Sequence, residues 1–108
     1  MSLPEQYRKL SGLFDEVLSL SNMILYELER GADDTKLEVL AERKDRAGRR
    51  IEKLTREISS AGSETDRESN LRTLAEVKPL LKQIEKQTSL LEAIEARIQR
   101  LVKEKGQN

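Results

Sequence analysis

Apolar residues recur in alternating steps of three and four along three stretches of the chain, which predicts three amphipathic helical regions. In the first stretch they form one helix stripe: Leu3, Tyr7, Leu10, Phe14, Val17, Ser21, Ile24 and Leu28. Leu13 and Leu20 widen this stripe on one side, and Leu18 and Leu25 widen it on the other. Because so wide a stripe can contact two neighbours, we expect the first helix to be the central one.

The second stretch carries a narrower stripe with charged flanks. Its members are Leu37, Leu40, Lys44, Ala47, Ile51, Leu54 and Ile58. A stripe of this width needs one packing partner, so the second helix is expected on the outside of a bundle. Its charge suits the first helix: residues 1–34 hold three basic and seven acidic residues, whereas residues 35–60 hold eight basic and five acidic ones. Opposite net charges favour the pairing of these two helices.

Capping patterns predict where these helices begin and end. Ser2 and Glu5 have the spacing of a capping box before the first helix. Gly31 is the expected C-terminal stop, because glycine adopts the left-handed conformation that ends many helices. Thr35 and Glu38 have the spacing of a second capping box, which predicts the start of the second helix.

The third stretch has more apolar residues than one stripe requires. The expected stripe is Leu74, Val77, Leu81, Ile84, Thr88, Leu91, Ile98 and Val102, with Leu80, Leu90, Ile94 and Leu101 beside it. Glu95 also falls on the stripe, and Ser63 and Thr65 are candidate caps before it. Pro79 lacks a backbone donor and clashes with the preceding turn, which predicts a kink or break between Glu76 and Pro79. One bent helix or two separate helices would satisfy this pattern.

These patterns predict an all-α fold in one domain over residues 1–108. We expect an elongated antiparallel three- or four-helix hairpin bundle with coiled-coil-like packing and a kink or break near Pro79. The expected helices cover about 3–30, 36–59, 65–77 and 79–105, the last two being continuous or separate. An elongated bundle has a thin core, which gains stability from dimerisation or from a bound partner.

Composition restricts the chemistry that such a bundle can perform. The chain has no His and no Cys, on which zinc fingers, catalytic triads and disulfide frameworks depend. Carboxylate pairs such as Glu27 with Asp34 are interpreted as solvated surface, because a di-metal bundle site also needs His. We therefore expect no enzyme, no cofactor and no metal site. Without a long apolar run or a secretory signal, a cytoplasmic protein that does not enter membranes is expected.

A basic cluster marks the second stretch: Arg43, Lys44, Arg46, Arg49, Arg50, Lys53 and Arg56. Such a cluster could follow phosphates, but acidic residues lie among its members and no aromatic residue is nearby to stack on bases. Pairing with the acidic first helix is the preferred interpretation, so nucleic acid is not the expected partner. A small nucleic-acid-binding regulator that uses Arg46, Arg49, Arg50 and Lys53 is the alternative.

The additional apolar residues of the third stretch have two interpretations. They could fill the space between the first two helices, or they could receive an amphipathic helix from another protein. The residues predicted to bind a partner are Leu80, Leu90, Leu91, Ile94, Ile98 and Leu101. A structural adaptor or self-associating coiled coil, which would use the same stripe to form a homodimer, is the alternative.

The segment LYELERGADDTKLEVLAERK, residues 25–44, resembles the first hairpin of FliT/FlgN-type flagellar export chaperones. In that family a first helix rich in Leu and Glu ends at a short Gly/Asp turn. The second helix then begins with the spacing shown here by Leu37, Leu40 and Lys44. The third stretch also matches the family in length and in its heptad-like character.

The resemblance implies a small cytosolic bacterial protein without enzymatic activity that serves flagellar type III export. It would bind the C-terminal amphipathic helix of a filament cap or hook–filament junction protein and deliver it to the export apparatus. The last helix of FliT-like members can also cover the partner site. The matching positions in this chain are Leu90, Leu91, Ile94, Ile98 and Leu101.

Overall fold

Three α-helices account for nearly all of the residues that a computed structural model describes, which are 2–31, 33–61 and 67–106. They are α1 over Leu3–Arg30, α2 over Asp34–Ala61 and α3 over Arg67–Gly106. The described residues contain no strand and extend over 59 × 20 × 18 Å. The prediction of an elongated all-α bundle is therefore confirmed, with three helices in place of the four-helix alternative.

The predicted ends of α1 are confirmed. The Ser2 side chain accepts a hydrogen bond from the Glu5 backbone N–H at 3.3 Å. Gly31 has a positive φ of 72°, and its N–H donates to the Leu28 carbonyl at 3.2 Å. This left-handed glycine ends α1 and reverses the chain into α2.

The cap of α2 differs from the prediction. Asp33 accepts a hydrogen bond from the Lys36 backbone N–H at 3.0 Å through its carboxylate, so α2 begins at Asp34. The predicted capping role of Thr35 is therefore wrong. The carboxylate of Asp33, two residues earlier, already caps one of the free N–H groups, and its negative charge interacts favourably with the positive end of the helix dipole.

α1 is the central helix, as predicted, because α2 and α3 both pack against it. No Cα atom of α2 lies within 8 Å of one in α3 among the described residues. α2 runs antiparallel to α1, which brings Leu54 and Ile58 into one cluster with Leu10. α3 runs parallel to α1, since Gln87 bonds to Ser11 and, further along both helices, Arg97 pairs with Glu29.

The stripes predicted for α1 and α2 are buried or half-buried along their whole length. Leu13 packs on the cluster shared with α2. Ser11, which bonds to α3, shares a helix face with Leu18 and Leu25 through steps of seven residues. The two flanks of the wide α1 stripe therefore serve different neighbours.

The stripe of α3 differs from the prediction. Most of its buried and half-buried residues alternate in steps of three and four: Val77, Leu80, Ile84, Gln87, Leu91, Ile94, Ile98 and Leu101. Thr88 and Glu95 are half-buried beside them. Leu74, Leu81 and Val102, which were expected on the stripe, are exposed. A polar residue, Gln87, is 5% exposed and occupies the centre of the true stripe. Val77, Ile84, Leu91 and Ile98 were correctly expected on the stripe. At the alternate positions apolar spacing selected Leu81, Thr88 and Val102, each one residue beyond a more buried neighbour.

α3 is one helix that continues through Pro79, so of the two alternatives that the sequence left open the structure has the continuous helix and not separate helices over 65–77 and 79–105. Pro79 and Ala75 are both exposed. Water can therefore solvate the carbonyl that a backbone donor at position 79 would otherwise have bonded. The candidate caps Ser63 and Thr65 lie outside the described residues.

α3 extends beyond the start of α1. Gln87 bonds to both Ser11 and Asp15, so it is level with about residue 13 of α1. Twenty residues of α3 precede Gln87, and ten residues of α1 precede position 13. About ten residues of α3, or roughly 15 Å at 1.5 Å per residue, therefore project past the end of α1.

Candidate partner-binding groove

An apolar groove of about 680 Å³ lies between α2 and α3, with α1 as its floor. We call it the α2–α3 groove. Its apolar lining is Phe14, Val17, Ile24 and Leu28 of α1, Leu37, Ala41, Gly48 and Ile51 of α2, and Leu91, Ile98 and Val102 of α3. The groove exists because α2 and α3 dock on opposite flanks of the wide α1 stripe and leave the middle of that stripe between them.

The sides of the groove have more free apolar surface than its floor. Val17, Ile24 and Leu28 on the floor are already buried. Val102 on the α3 side is 53% exposed, and Leu37 on the α2 side is half-buried. A ligand that lies in the groove would therefore gain most of its apolar contact from α2 and α3, rather than from α1.

One ion pair crosses the groove. Lys44 Nζ lies 3.1 Å from Glu95 Oε1, with 23% of the lysine side chain and 43% of the glutamate side chain exposed. Each is a charged residue at a position where the sequence pattern expects an apolar one. The two departures from the apolar pattern, one on each helix, therefore meet in space.

Ser21 is a polar residue on the apolar stripe of α1, and it does not itself line the groove. Its side chain is fully buried, and its Oγ has no hydrogen-bond partner within the described parts of the chain. Val17 and Ile24, which flank Ser21 on the same stripe, both line the groove. A buried hydroxyl without a partner costs about 1–3 kcal/mol, so this position keeps unused hydrogen-bonding capacity.

The remaining charges of the groove belong to α2. Asp45 and Arg49 pair with each other at 2.7 Å on its exposed surface. Glu52 forms no ion pair in the part of the chain that the structure describes. Lys44 and Arg49 against Asp45, Glu52 and Glu95 leave the lining with one negative charge in excess.

The structure divides the six predicted partner-binding residues into three groups. Leu91 and Ile98 line the α2–α3 groove. Leu80, Ile94 and Leu101 are half-buried on the stripe of α3 that faces α1. Leu90 is 57% exposed and lies outside the groove lining.

Sequence reasoning did not assign groove residues on α2, such as Leu37 and Ile51, and placed Val102 in the core. The seven-residue spacing of Leu81, Thr88, Glu95 and Val102 was the available signal for a second face on α3.

A buried polar network fixes α3 against α1 at the interface of these two helices. The Ser11 hydroxyl donates to Gln87 Oε1 at 3.0 Å. The Gln87 amide in turn donates to the Ser11 carbonyl at 3.0 Å and to Asp15 Oδ1 at 2.6 Å. Directional bonds of this kind set both the rotation and the register of α3 on α1.

A second apolar depression, of about 420 Å³, lies near the turn between α1 and α2. Met23, Tyr26, Val39 and Leu40 contribute its apolar surface. The guanidinium of Arg30 lies 5.2 Å from the centre of the Tyr26 ring and also donates to its hydroxyl at 3.2 Å. This cation–π contact covers one side of the exposed tyrosine.

The basic cluster of α2 does not pair with α1. The ion pairs in the described ranges are Lys44 with Glu95, Arg49 with Asp45 and Arg97 with Glu29. None of them joins α1 to α2, so the expected charge pairing between these helices is not observed. Lys44 and Arg49 line the groove, and every member of the cluster except Lys44 is exposed.

Comparisons with known protein families, characterised proteins and solved structures find no match to this chain. Within the described residues, no three acidic side chains converge in a way that could hold a metal ion. None of the described helices combines the length and apolar character that crossing a membrane requires. The groove geometry and the sequence resemblance are therefore the basis for a functional proposal.

Proposed function

We propose that this protein is a non-enzymatic binding module whose α2–α3 groove receives an amphipathic helix from another protein. The observation that carries the proposal is the separation of α2 and α3, which leaves an apolar groove with a helical floor. A helix laid between α2 and α3, opposite α1, would complete a four-helix arrangement. Amphipathic helices commonly bind in grooves of this kind through residues three or four positions apart.

The apolar surface of the groove suits a reversible complex. Leu37, Ile51, Leu91 and Ile98 are half-buried, and Val102 is exposed. Complete transfer of about five such side chains from water, at about 1.5–3 kcal/mol each, would give about 7.5–15 kcal/mol; because four of them are already half-buried, the gross gain is well below about 15 kcal/mol. Because association and side-chain ordering oppose binding, a dissociation constant in the micromolar range is expected.

The charges of the groove favour a partner helix with basic residues beside its apolar face. The lining has one negative charge in excess, and Glu52 is available to a cation from the partner. Complementary charges at the edge of an interface mainly increase the association rate and orient the partner.

The resemblance of residues 25–44 to FliT/FlgN-type chaperones supports a more specific form of the proposal. In this form the partner is the C-terminal amphipathic helix of a filament cap or hook–filament junction protein. The groove would shield that helix in the cytoplasm until the export apparatus receives it. A chaperone of this kind works by covering apolar surface, and it catalyses no reaction.

A charge substitution in the groove tests the proposal. Val102→Asp should weaken binding of a fluorescent peptide from such a cap or junction protein at least about tenfold, since a buried aspartate without a partner is costly. The matched control is Leu90→Asp, which alters an equally exposed residue outside the groove lining and should bind like the wild type. Fluorescence anisotropy measures binding, and circular dichroism checks the fold. Equal affinities for the two variants would contradict the proposal.

Self-association is the competing outcome, and sedimentation equilibrium at several concentrations distinguishes it. A wild-type dimer that Val102→Asp dissociates would show that a second copy of the chain occupies the groove. The protein would then be a structural adaptor. A monomer at all concentrations, together with peptide binding, is the expected result.

A further inference from the structure

We infer that the Lys44–Glu95 pair, in a polar layer that also contains the buried Ser21, selects a partner helix with a hydrogen-bonding side chain, such as Asn or Gln, inside its apolar stripe. The inference rests on the proposed function and specifies the partner. We call these three residues the polar layer.

The three residues lie at the same level of the bundle. In the antiparallel pair, Leu10 clusters with Leu54 and Ile58, so a step back along α2 to Lys44 corresponds to about residues 20–24 of α1. In the parallel pair, Gln87 bonds to Ser11 and Asp15. Glu95, eight residues further along α3, therefore corresponds to about residues 19–23. Both ranges contain position 21.

Each member is a polar interruption of an apolar surface. Ser21 is the one small polar residue on the predicted stripe of α1, and Lys44 is the one charged residue on that of α2. Glu95 lies on α3 among Leu91, Ile98 and Val102, which line the groove with it. In coiled coils a single polar layer of this kind specifies the register and the choice of partner.

The two residues of the layer that line the groove have hydrogen-bonding capacity that the chain itself does not use. Ser21 Oγ also has no partner anywhere in the described ranges, but it is fully buried and lies outside the groove lining, so a docked helix would meet Lys44 and Glu95 instead. Lys44 and Glu95 contact each other through one pair of atoms at 3.1 Å and are still partly exposed to water. An ammonium group has three donors and a carboxylate has several acceptor sites, so both retain capacity for a ligand.

A docked helix would cover this layer and remove its water. A leucine opposite Lys44 and Glu95 would dehydrate the ion pair and return no hydrogen bond, which disfavours binding. A carboxamide can accept from Lys44 and donate to Glu95 at the same time. The selected partner is therefore an amphipathic helix with one Asn or Gln in its apolar stripe. Apolar residues should lie on both sides of it, because the groove continues towards Phe14 and towards Leu28.

Two designed peptides test this selectivity directly. Each is an amphipathic helix of about 21 residues, or three heptads, with leucine on its stripe. They differ only at the central stripe position, which is Asn in one and Leu in the other. The full wild-type chain should bind the Asn peptide about tenfold more tightly by fluorescence anisotropy. Equal affinities, or a preference for Leu, would overturn the polar layer while leaving the helix-binding proposal intact.

Variants assign the selectivity to the layer. Replacing the ion pair by Lys44→Met together with Glu95→Met should reverse the preference in favour of the Leu peptide. The matched control replaces an ion pair outside the groove, by Glu29→Met together with Arg97→Met, and should keep the preference for Asn. An unchanged preference in the first variant would overturn the assignment.

A conservative variant and the binding of the wild-type chain distinguish failure of the polar layer from failure of the proposed function. Glu95→Gln preserves a hydrogen-bonding side chain, so this variant should keep the preference for the Asn peptide. It replaces the double methionine variant as the test if that variant loses helix content in circular dichroism. Loss of the preference in Glu95→Gln, with the fold intact, would contradict the hydrogen-bonding explanation. If neither peptide binds the wild-type chain, the proposed function fails, and the polar layer fails with it.

Discussion

The two helices that pack on α1 are held in different ways. The α1–α2 interface is apolar: Leu10, Leu54 and Ile58 form its buried cluster, and no ion pair joins the two helices within the described residues. The α1–α3 interface contains a buried network around Gln87 and an ion pair between Arg97 and Glu29. Apolar contact supplies stability without much direction, whereas hydrogen bonds require a particular alignment.

The difference between the interfaces has a cause in the sequence of α3. This helix offers adjacent apolar pairs, such as Leu80 with Leu81 and Leu101 with Val102, so apolar burial alone allows more than one rotation. Gln87 can bond to Ser11 and Asp15 in one rotation only. The network therefore turns Val102 towards the α2–α3 groove and Leu101 towards α1.

The largest expected effect comes from the apolar interface. Leu54→Ala should lower the free energy of unfolding by about 2–5 kcal/mol, because it removes a buried side chain and leaves a cavity. Urea denaturation followed by circular dichroism measures the change. Leu90→Ala is the matched control on α3, where the leucine is 57% exposed, and should change stability by about 0.5 kcal/mol or less. Similar losses in both variants would contradict the central role of the α1–α2 cluster.

Substitutions in the polar α1–α3 interface should lower the free energy of unfolding less, and they should also change how α3 is rotated on α1. Gln87→Ala leaves the buried Ser11 hydroxyl without its acceptor and should cost about 1–3 kcal/mol. Gln87→Leu combined with Ser11→Ala should recover most of that stability, because apolar groups then replace both partners.

The same double variant should lose the fixed rotation of α3, which methyl NMR would detect as broadened or doubled signals from Leu101 and Val102. Sharp single signals would contradict an aligning role for Gln87.

The smallest effect is expected at the turn that joins α1 to α2. Gly31→Ala should cost about 1–2 kcal/mol, since alanine is strained in the left-handed conformation that Gly31 adopts. The space around the site is open, so backbone strain would account for the loss. Gly12→Ala, inside α1 and also in open space, should instead stabilise the protein by about 0.5–1 kcal/mol. Thermal denaturation should show a lower midpoint for Gly31→Ala and a higher midpoint for Gly12→Ala than for the wild type.

Much of the fold could be predicted because α1 and α2 follow simple rules. Their stripes consist of regularly spaced apolar residues, and a wide stripe predicts two neighbours as directly as a narrow one predicts a single neighbour. Gly31 also ended α1 as expected. The cap of α2 was misplaced because Asp and Thr are both residue types that cap helices well, so the sequence alone did not decide between Asp33 and Thr35.

The candidate site was harder to predict because it depends on the rotation of α3. Gln87 resembles a surface residue in the sequence, and its partners on α1 are more than seventy positions away. The pairing of Lys44 with Glu95 had the same difficulty. Each residue was recognisable as an exception to its own stripe, but only the register of three helices brings the two exceptions together.

The length of α3 has a consequence for the size of the footprint that a helical ligand can occupy. α1 stops serving as a floor about ten residues before α3 does. Leu74 nevertheless continues the seven-residue series of Val102, Glu95, Thr88 and Leu81, and it is exposed beyond the level at which α1 begins. A ligand longer than α1 would therefore find a further apolar anchor point on α3 alone, so that the longest helix, rather than the central one, determines how far recognition extends.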